Sequence, residues 1–554
     1  MLKKKVRGLI CSVVATLFLS PSISVFAAET DVIKGNYDIV VEGFDWGPGV
    51  TKAIVTLNEE VTNVTKDTFK VEEVKNWYTG IANFERKILN AYTSDEAGNI
   101  IDSPSKYVVI EMDVNPMEGS PFLYNFQVGY NTWTDPYSLN IRLAEDSELK
   151  LGDSIIDTIE IESQYINRQI PSIDGFKEAS YTSKENISMK YAYYEPENND
   201  DKKPLIVWLH GAGEGGSDTT INTLGNKVTA LIGDNIQNQF DGAYVLAPQT
   251  PTMWMDMGGV QYTDNGDSIY LNSLMDLIKN YVDTNKNIDT DRIYIGGCSN
   301  GGFMTMALVL ENPEYFAAAY PICEAYSDSW ISDDKLEGIK DLPIWFTYAN
   351  NDKTVDPLKT SVATANRLKN IKAKDVRISE FDKVVDTSGL YKDENGNPYE
   401  YDGHWSWVYA FNDECKDNGE SLWSWLAKQK KEVKVDDSID KPEENKPNDD
   451  NLNTPDNNEN NDNVDKPNND IDTPNNNENT PNDDVIITPD DNNNNTDKPN
   501  NNTSKPNNNT GNNESQLTNK PNKLPETGDV ISSTSLALIG ILSIIGGIKM
   551  RFGK

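Results

Sequence analysis

Ser299 stands in Gly297-Cys298-Ser299-Asn300-Gly301, between an apolar strand-like run and a helical one. Glycines two places either side of a serine permit a turn so tight that the hydroxyl stands clear of the backbone at the start of the helix. A serine presented that way needs a base, and near neutral pH the usual base is an imidazole. The chain has two histidines. His404, in Asp402-Gly403-His404-Trp405, lies past the last expected strand, where the base falls when the chain order is Ser, acid, His. A carboxylate must then hold that imidazole in one tautomer and stabilise its cation. Asp352 is the first carboxylate beyond the apolar run from Pro343 to Thr347, and Asp356 is its local rival. His210 ends an earlier strand and leads into Gly211-Ala212-Gly213-Glu214-Gly215-Gly216. Here the backbone N–H of Gly211 or Ala212 would join that of Asn300 in holding a tetrahedral oxyanion. The chemistry of such a set is acyl transfer through a serine, with no metal or cofactor. His210, Gln249, Trp254 and Trp405 are candidate walls of the substrate pocket, although core packing explains the tryptophans equally well.

Those residues need a frame that brings them together from positions about fifty residues apart. From Pro171 onward, apolar runs (Pro204 to Leu209, Ala243 to Leu246, Arg292 to Ile295, Phe316 to Tyr320, Pro343 to Thr347, Val376 to Ile378) alternate with helical patterns. Leu271, Leu274, Leu277, Ile278 and Tyr281 share the face of one such helix. Strands alternating with helices predict a mostly parallel sheet with helices on both faces over 171–431. Upstream, over 29–170, the pattern is short period-two runs such as Tyr37 to Glu42, Ala53 to Leu57 and Tyr107 to Met112, punctuated by Gly, Pro and Asn. That predicts an all-β sandwich of Ig type. Asn395-Gly396 marks a hairpin in an insertion from about Val384 to Gly403, expected either to wall the pocket or to expose loop aromatics. Asp283, Asn285, Asn287, Asp289 and Asp291 mimic a calcium loop, but Ile288 replaces its glycine and Tyr294 its final glutamate, so a solvated turn is expected.

Several ordered motifs carry a family resemblance: Leu209-His210-Gly211-Ala212-Gly213-Glu214, Leu246-Ala247-Pro248-Gln249 with Trp254, Asp291-Arg292-Ile293-Tyr294, the Ser299 turn, Phe316 to Ala319 with Pro321-Ile322-Cys323, and Gly403-His404 with Trp407. Residues 205 to about 425 resemble the α/β-hydrolase branch of esterases and "predicted peptidases" related to polyhydroxybutyrate depolymerase. Gly43-Phe44-Asp45-Trp46-Gly47-Pro48-Gly49-Val50 resembles the start of the Ig-like domain that precedes the catalytic domain in one group of bacterial esterases. The resemblance implies a Ser299, Asp352, His404 triad with an oxyanion loop at Gly211 and Ala212. The family's acid loop reads His-Gly-x-x-Asp, where this chain has Tyr348-Ala349-Asn350-Asn351-Asp352. The expected activity is that of a serine ester hydrolase on short-chain acyl, aryl or polysaccharide-linked esters of feruloyl or acetyl type, or on polyesters. A serine peptidase with the same triad, and a wall-displayed adhesin with an inert hydrolase domain, are the alternatives.

The two ends read as addresses. Residues 1–28 combine Lys3, Lys4, Lys5 and Arg7 with an apolar run and a small-residue ending, Ala27-Ala28, as a secretory signal peptide does. Residues 524–554 begin Leu524-Pro525-Glu526-Thr527-Gly528, continue with an apolar stretch from Val530 to Ile548 and end in Lys549, Arg551 and Lys554. This is similar to the LPxTG sorting signal of Gram-positive surface proteins, which implies sortase cleavage after Thr527 and covalent attachment to peptidoglycan, with the membrane touched only transiently. Residues 432–523 are rich in Asn, Asp and Pro and cannot bury enough surface to offset ordering entropy, so a disordered wall-spanning stalk is expected. With 50 Lys plus Arg against 88 Asp plus Glu, the net charge of −38 argues against nucleic acid and anionic membrane as partners. Cys298, Cys323 and Cys415 follow the signal segment, an odd number that requires no disulfide framework, and the two histidines lack zinc-site spacing.

Overall fold

The computed structural model describes residues 32–116, 118–197, 201–259 and 262–431. The expected signal segment, stalk and sorting signal, with Thr527, lie outside them. The N-terminal part is an Ig-like pair of sheets. One has the order Ile159–Ile161, Ile33–Phe44, Gly47–Val61, Ser105–Met112, Ile88–Ser94, with Arg168–Gln169 also pairing with the first long strand. The other joins Gly80–Arg86, Phe69–Trp77 and Tyr137–Leu143. Period-two side chains meet between them: Tyr37, Ile39 and Val41 from one strand, Val55 and Leu57 from its neighbour, Leu139 and Ile141 from the second sheet. Tyr37 ties the layers, since its hydroxyl donates to Ser163 O at 2.9 Å and accepts from Leu139 N at 2.7 Å.

The C-terminal part is an α/β-hydrolase domain. Its eight strands in chain order are β1 (Lys177–Thr182), β2 (Ser188–Tyr194), β3 (Lys203–Leu209), β4 (Tyr244–Gln249), β5 (Ile288–Cys298), β6 (Ala318–Ile322), β7 (Ile344–Ala349) and β8 (Val376–Phe381). They lie in the order β1-β2-β4-β3-β5-β6-β7-β8. From β4 to β8 every pairing is parallel, while β1–β2 and β2–β4 are antiparallel. The apolar runs read from sequence are the six strands from β3 to β8. The two antiparallel strands escaped because each mixes charged with apolar residues at a half-exposed edge.

Strand β3 shows why the central runs are continuously apolar. Leu205, Val207 and Leu209 pack with the helices Leu271–Thr284 and Asn300–Glu311 on one face, and Ile206 and Trp208 join the core on the other. Trp208 is wholly buried, and truncating a side chain of that size in such a core costs about 3–5 kcal/mol.

Two hairpins of the Ig-like part dock on the hydrolase domain. The turn of the Gly43 to Val50 segment inserts Asp45, whose carboxylate pairs with Lys227 Nζ and accepts from Asn412 Nδ2 at 2.9 Å. Trp46 beside it meets Tyr391 edge-on, with ring centroids 6.4 Å apart. The insertion that carries Tyr391 is a ladder pairing Val385 with Glu400 and Lys392 with Pro398, and Gly396 takes φ +81° at its turn. Its tip therefore braces the N-terminal domain through Tyr391, while Tyr401 at its base is buried against Trp405. The second hairpin, Phe122–Asn125 with Tyr130–Trp133, sets Trp133 Nε1 3.0 Å from Asp218 Oδ2 and 3.1 Å from Thr220 Oγ1. Asp218 also caps the helix Thr219–Gly225 by accepting from Thr220 N, so this contact fixes a helix start.

Candidate active site

Strand β5 delivers Ser299 at its C-terminal end, and the helix Asn300–Glu311 begins on the next residue. Ser299 is held at φ 55°, ψ −115°, a conformation uncommon for a residue with a Cβ. Crowding enforces it. A Cβ on Gly301 would lie 1.9 Å from Leu209 O, and one on Gly297 would lie 2.3 Å from the same oxygen. The flanking glycines are thus required by the approach of β3, since neither has a positive φ. Ser299 itself is half-buried.

His404 and Asp352 come from two loops beyond the strand ends. Asp352 Oδ1 accepts from Thr354 N at 2.8 Å and Val355 N at 2.9 Å, which aims Oδ2 at His404 Nδ1, 2.7 Å away. That bond fixes the proton on Nδ1 and leaves Nε2 with a lone pair. Burial of the ring opposes its charged form. The adjacent Asp352 carboxylate outweighs it, with Asp402 and Glu214 adding, so the His404 pKa is raised above its usual 6.5. Asp356 is not a competitor: it caps a 3₁₀ turn through Leu358 N at 3.0 Å and pairs with Lys359 at the exposed surface. No hydrogen bond joins the Ser299 hydroxyl to His404 among the described residues, and contacts of this kind commonly tighten only when substrate is bound.

Three residues expected to wall the pocket are instead scaffolding. His210 is wholly buried: Nδ1 donates to Gly211 O at 2.6 Å and Nε2 accepts from Thr250 N at 3.1 Å. Desolvation lowers its pKa to about 4, so the ring is neutral with both nitrogens engaged. Gln249 is equally buried and donates from Nε2 to Glu214 O and Asp218 O, each at 2.9 Å. Trp254, also wholly buried, donates its indole N–H to His210 O at 3.0 Å and its backbone N–H to Asn300 Oδ1 at 2.6 Å. These side chains point into the protein because the backbone polar groups of the glycine loop and of Thr250 need partners away from water. Trp405 is half-buried, with its ring against Tyr401 and Trp407.

The oxyanion candidates separate on geometry. Asn300 opens its helix, so its N–H has no intrahelical acceptor. In the glycine loop, the Gly211 N–H faces the buried Glu214 carboxyl, which leaves the N–H of the half-buried Ala212 as the loop's candidate donor. Sequence reasoning passed over Glu214. Its one signal was a carboxylate within a run of small residues, two places past the expected oxyanion donors. Cys298, Cys323 and Cys415 are buried free thiols. In the calcium-like segment, the Asp289 carboxylate is engaged by Arg292 Nε at 2.8 Å.

Known proteins share both parts of this arrangement. Residues 36–152 match the esterase Ig-like N-terminal domain, and residues 196–387 match the phospholipase/carboxylesterase family, a span that holds Ser299 and Asp352 and ends before His404. A solved structure described as a thermostable esterase aligns at 25% identity and a TM-score of 0.55, covering 72% of this chain and 100% of that one. Feruloyl esterase B of Neurospora crassa is 29% identical over 132 residues, which are 23% of this chain and 40% of that protein. The chain thus carries an esterase-type Ig-like domain followed by a carboxylesterase-type α/β-hydrolase domain.

Proposed function

We propose that this protein is a secreted, wall-anchored serine ester hydrolase working through Ser299, His404 and Asp352. The observation that carries the reading is the 2.7 Å contact between His404 Nδ1 and Asp352 Oδ2, which turns Nε2 into a base in the domain that presents Ser299 on a strained turn. As Ser299 Oγ bonds to the ester carbonyl carbon, its proton passes to His404 Nε2, and the carbonyl oxygen becomes an oxyanion held by the Ala212 and Asn300 N–H groups. The tetrahedral intermediate collapses, the C–O bond to the alcohol breaks, and His404 returns the proton to the leaving oxygen. Water repeats the sequence on the acyl-enzyme and releases the acid. No step requires a metal or cofactor.

The substrate class is short acyl, aryl or polysaccharide-linked esters. The partial likeness to a protein named feruloyl esterase B supports the feruloyl, aryl member of that class. Secretion and attachment to peptidoglycan by a sortase rest on the 1–28 and 524–554 segments of the sequence.

The deciding experiment assays the purified protein on p-nitrophenyl esters from acetate to decanoate, a feruloyl ester and a peptide anilide, with Ser299→Ala as control. Ester turnover abolished in Ser299→Ala is expected. Turnover of the anilide alone would make the protein a peptidase, and undiminished turnover in the variant would remove Ser299 from the mechanism. For the anchor, Thr527→Ala should move the protein from the wall digest to the membrane or medium; an unchanged wall fraction would refute sorting at Thr527.

A further inference from the structure

Glu214 is a carboxylic acid buried inside the loop that offers the Ala212 N–H, with 5% of its surface exposed. The loop curls around it. A Cβ on Gly225 would fall 2.4 Å from Glu214 Cγ, and one on Gly211 would fall 3.0 Å from Oε2, so two glycines make room for this side chain. Oε1 accepts from Asn131 Nδ2 at 3.3 Å, and the Gly211 N–H faces the same carboxyl. Gln249 holds the backbone of the loop from the other side through Glu214 O.

Asn131 belongs to the Ig-like part, on the hairpin strand Tyr130–Trp133. That strand lies directly on the glycine loop. A Cβ on Gly213 would meet Asn131 Nδ2 at 2.8 Å, and one on Gly216 would meet the Tyr130 ring at 3.0 Å. Of the loop's four glycines only Gly216 has a positive φ, so close approach accounts for the other three. A loop of small residues has little side-chain packing of its own, and an internal carboxyl partnered by Asn131 and the Gly211 N–H substitutes for it.

We propose that Glu214 is the positioning residue of the oxyanion loop, and that the Ig-like domain acts on the acyl-transfer site through the Asn131–Glu214 contact. The inference rests on the serine hydrolase reading above for its kinetic consequences only. Burial raises the Glu214 pKa to about 7. The titratable groups that face it are His404, Cys298 and Tyr124 of the hairpin. When ionised, Glu214 stabilises the charged form of His404. Removing its charge while keeping its shape therefore lowers the His404 pKa.

The test uses the full protein and the variants Glu214→Gln, Glu214→Ala, Asn131→Ala and the Asn131→Ala/Glu214→Ala double. Displacing an oxyanion donor acts on the transition state, so Glu214→Ala should lower kcat on p-nitrophenyl acetate by about 10²-fold with KM little changed. Glu214→Gln, which preserves the acceptor for Asn131, should recover most of kcat while moving the acidic limb of kcat/KM to lower pH. Asn131→Ala should lower kcat, and the double variant should lose no more than Glu214→Ala alone. With two histidines in the chain, NMR titration of selectively labelled imidazoles follows His404 directly. Its midpoint should fall in Glu214→Gln. A kcat within twofold of wild type in folded Glu214→Ala, multiplicative losses in the double, or an unmoved His404 titration would each overturn the proposal. If wild type shows no Ser299-dependent turnover, the hydrolase reading falls, and the NMR titration still decides whether Glu214 acts on His404, while urea midpoints of the two single variants and the double decide whether Asn131 and Glu214 are coupled: additive losses would overturn the contact's role.

Discussion

Gly403 lies so close to Asn351 that a Cβ on it would sit 2.1 Å from Asn351 Oδ1 and 2.7 Å from the Asn351 carbonyl carbon. The loop bearing the base is thereby laid on the loop bearing the acid, one residue before Asp352 on one side and one before His404 on the other. The acid loop departs from the His-Gly-x-x-Asp pattern of the family it resembles, yet the backbone contact brings Asp352 Oδ2 within 2.7 Å of His404 Nδ1.

Replacing that acid should expose its contribution. Asp352→Asn keeps the two backbone N–H bonds to Oδ1 but can offer an N–H where the imidazole needs an acceptor. The tautomer then favours the wrong nitrogen, and kcat should fall by about 10⁴-fold with the fold intact. Steady-state kinetics beside circular dichroism measure this. A loss below tenfold would mean that another group orients His404.

The pH profile follows from the same pair. His404 must be neutral to take the serine proton, and its pKa in the folded protein is raised above 6.5. The acidic limb of kcat/KM should therefore lie above 6.5, and in Asp352→Asn it should move down as the countercharge is lost. A wild-type limb below 6.5, from rates measured between pH 4 and 9, would contradict the assignment.

Two glycine substitutions should have opposite signs. At Gly301 a methyl group meets Leu209 O at 1.9 Å, whereas at Gly338, the last residue of the helix Asp333–Gly338, it meets nothing within 4 Å. Gly301→Ala should abolish activity and destabilise by about 1–3 kcal/mol or more. Gly338→Ala should stabilise by about 0.4–1 kcal/mol, because it restricts the unfolded chain without strain in the folded one. Urea midpoints separate the two, and a shared sign would contradict the contact geometry.

Glu324, one residue past Cys323, is wholly buried and accepts from Tyr326 N at 2.7 Å and Ser361 Oγ at 3.2 Å. Desolvation raises its pKa to about 8 from 4.5. A group whose folded pKa is raised contributes stability that is complete below the unfolded value and is lost as pH climbs to the folded one. Wild type should therefore lose Tm between pH 4.5 and 8 relative to Glu324→Gln, so the variant gains on wild type as pH rises. Parallel Tm curves over that window would show that Glu324 does not titrate this way.

The sequence exposed some of this site and concealed the rest for identifiable reasons. Residues with few alternatives were legible: a serine between spaced glycines after a buried strand, and one histidine beyond the last strand. The central strands were equally plain, because β3 to β7 are buried on both faces along their apolar runs, while β8 at the sheet edge is half-exposed. His210 and Gln249, expected to wall the pocket, turn inward instead, and Trp254 takes the core-packing alternative. Strand ends mark where a site opens, but the unmet hydrogen bonds of nearby backbone decide which way a polar side chain turns. Asn131 left no signal, since its partner Glu214 is 83 residues away in another domain.

The bond from Asn412 Nδ2 to Asp45 Oδ2 spans 367 residues of sequence. Ser299, Asp352 and His404 all fall within the loop it closes. The Ig-like domain therefore cannot finish its seating until the segment around Asn412 exists, and contacts of such range form late because the chain entropy of closing them comes first. A chain interrupted before Asn412 lacks this clasp even when every reacting group is present. Arrival of the segment around Asn412, rather than of the reacting groups, is what this contact registers.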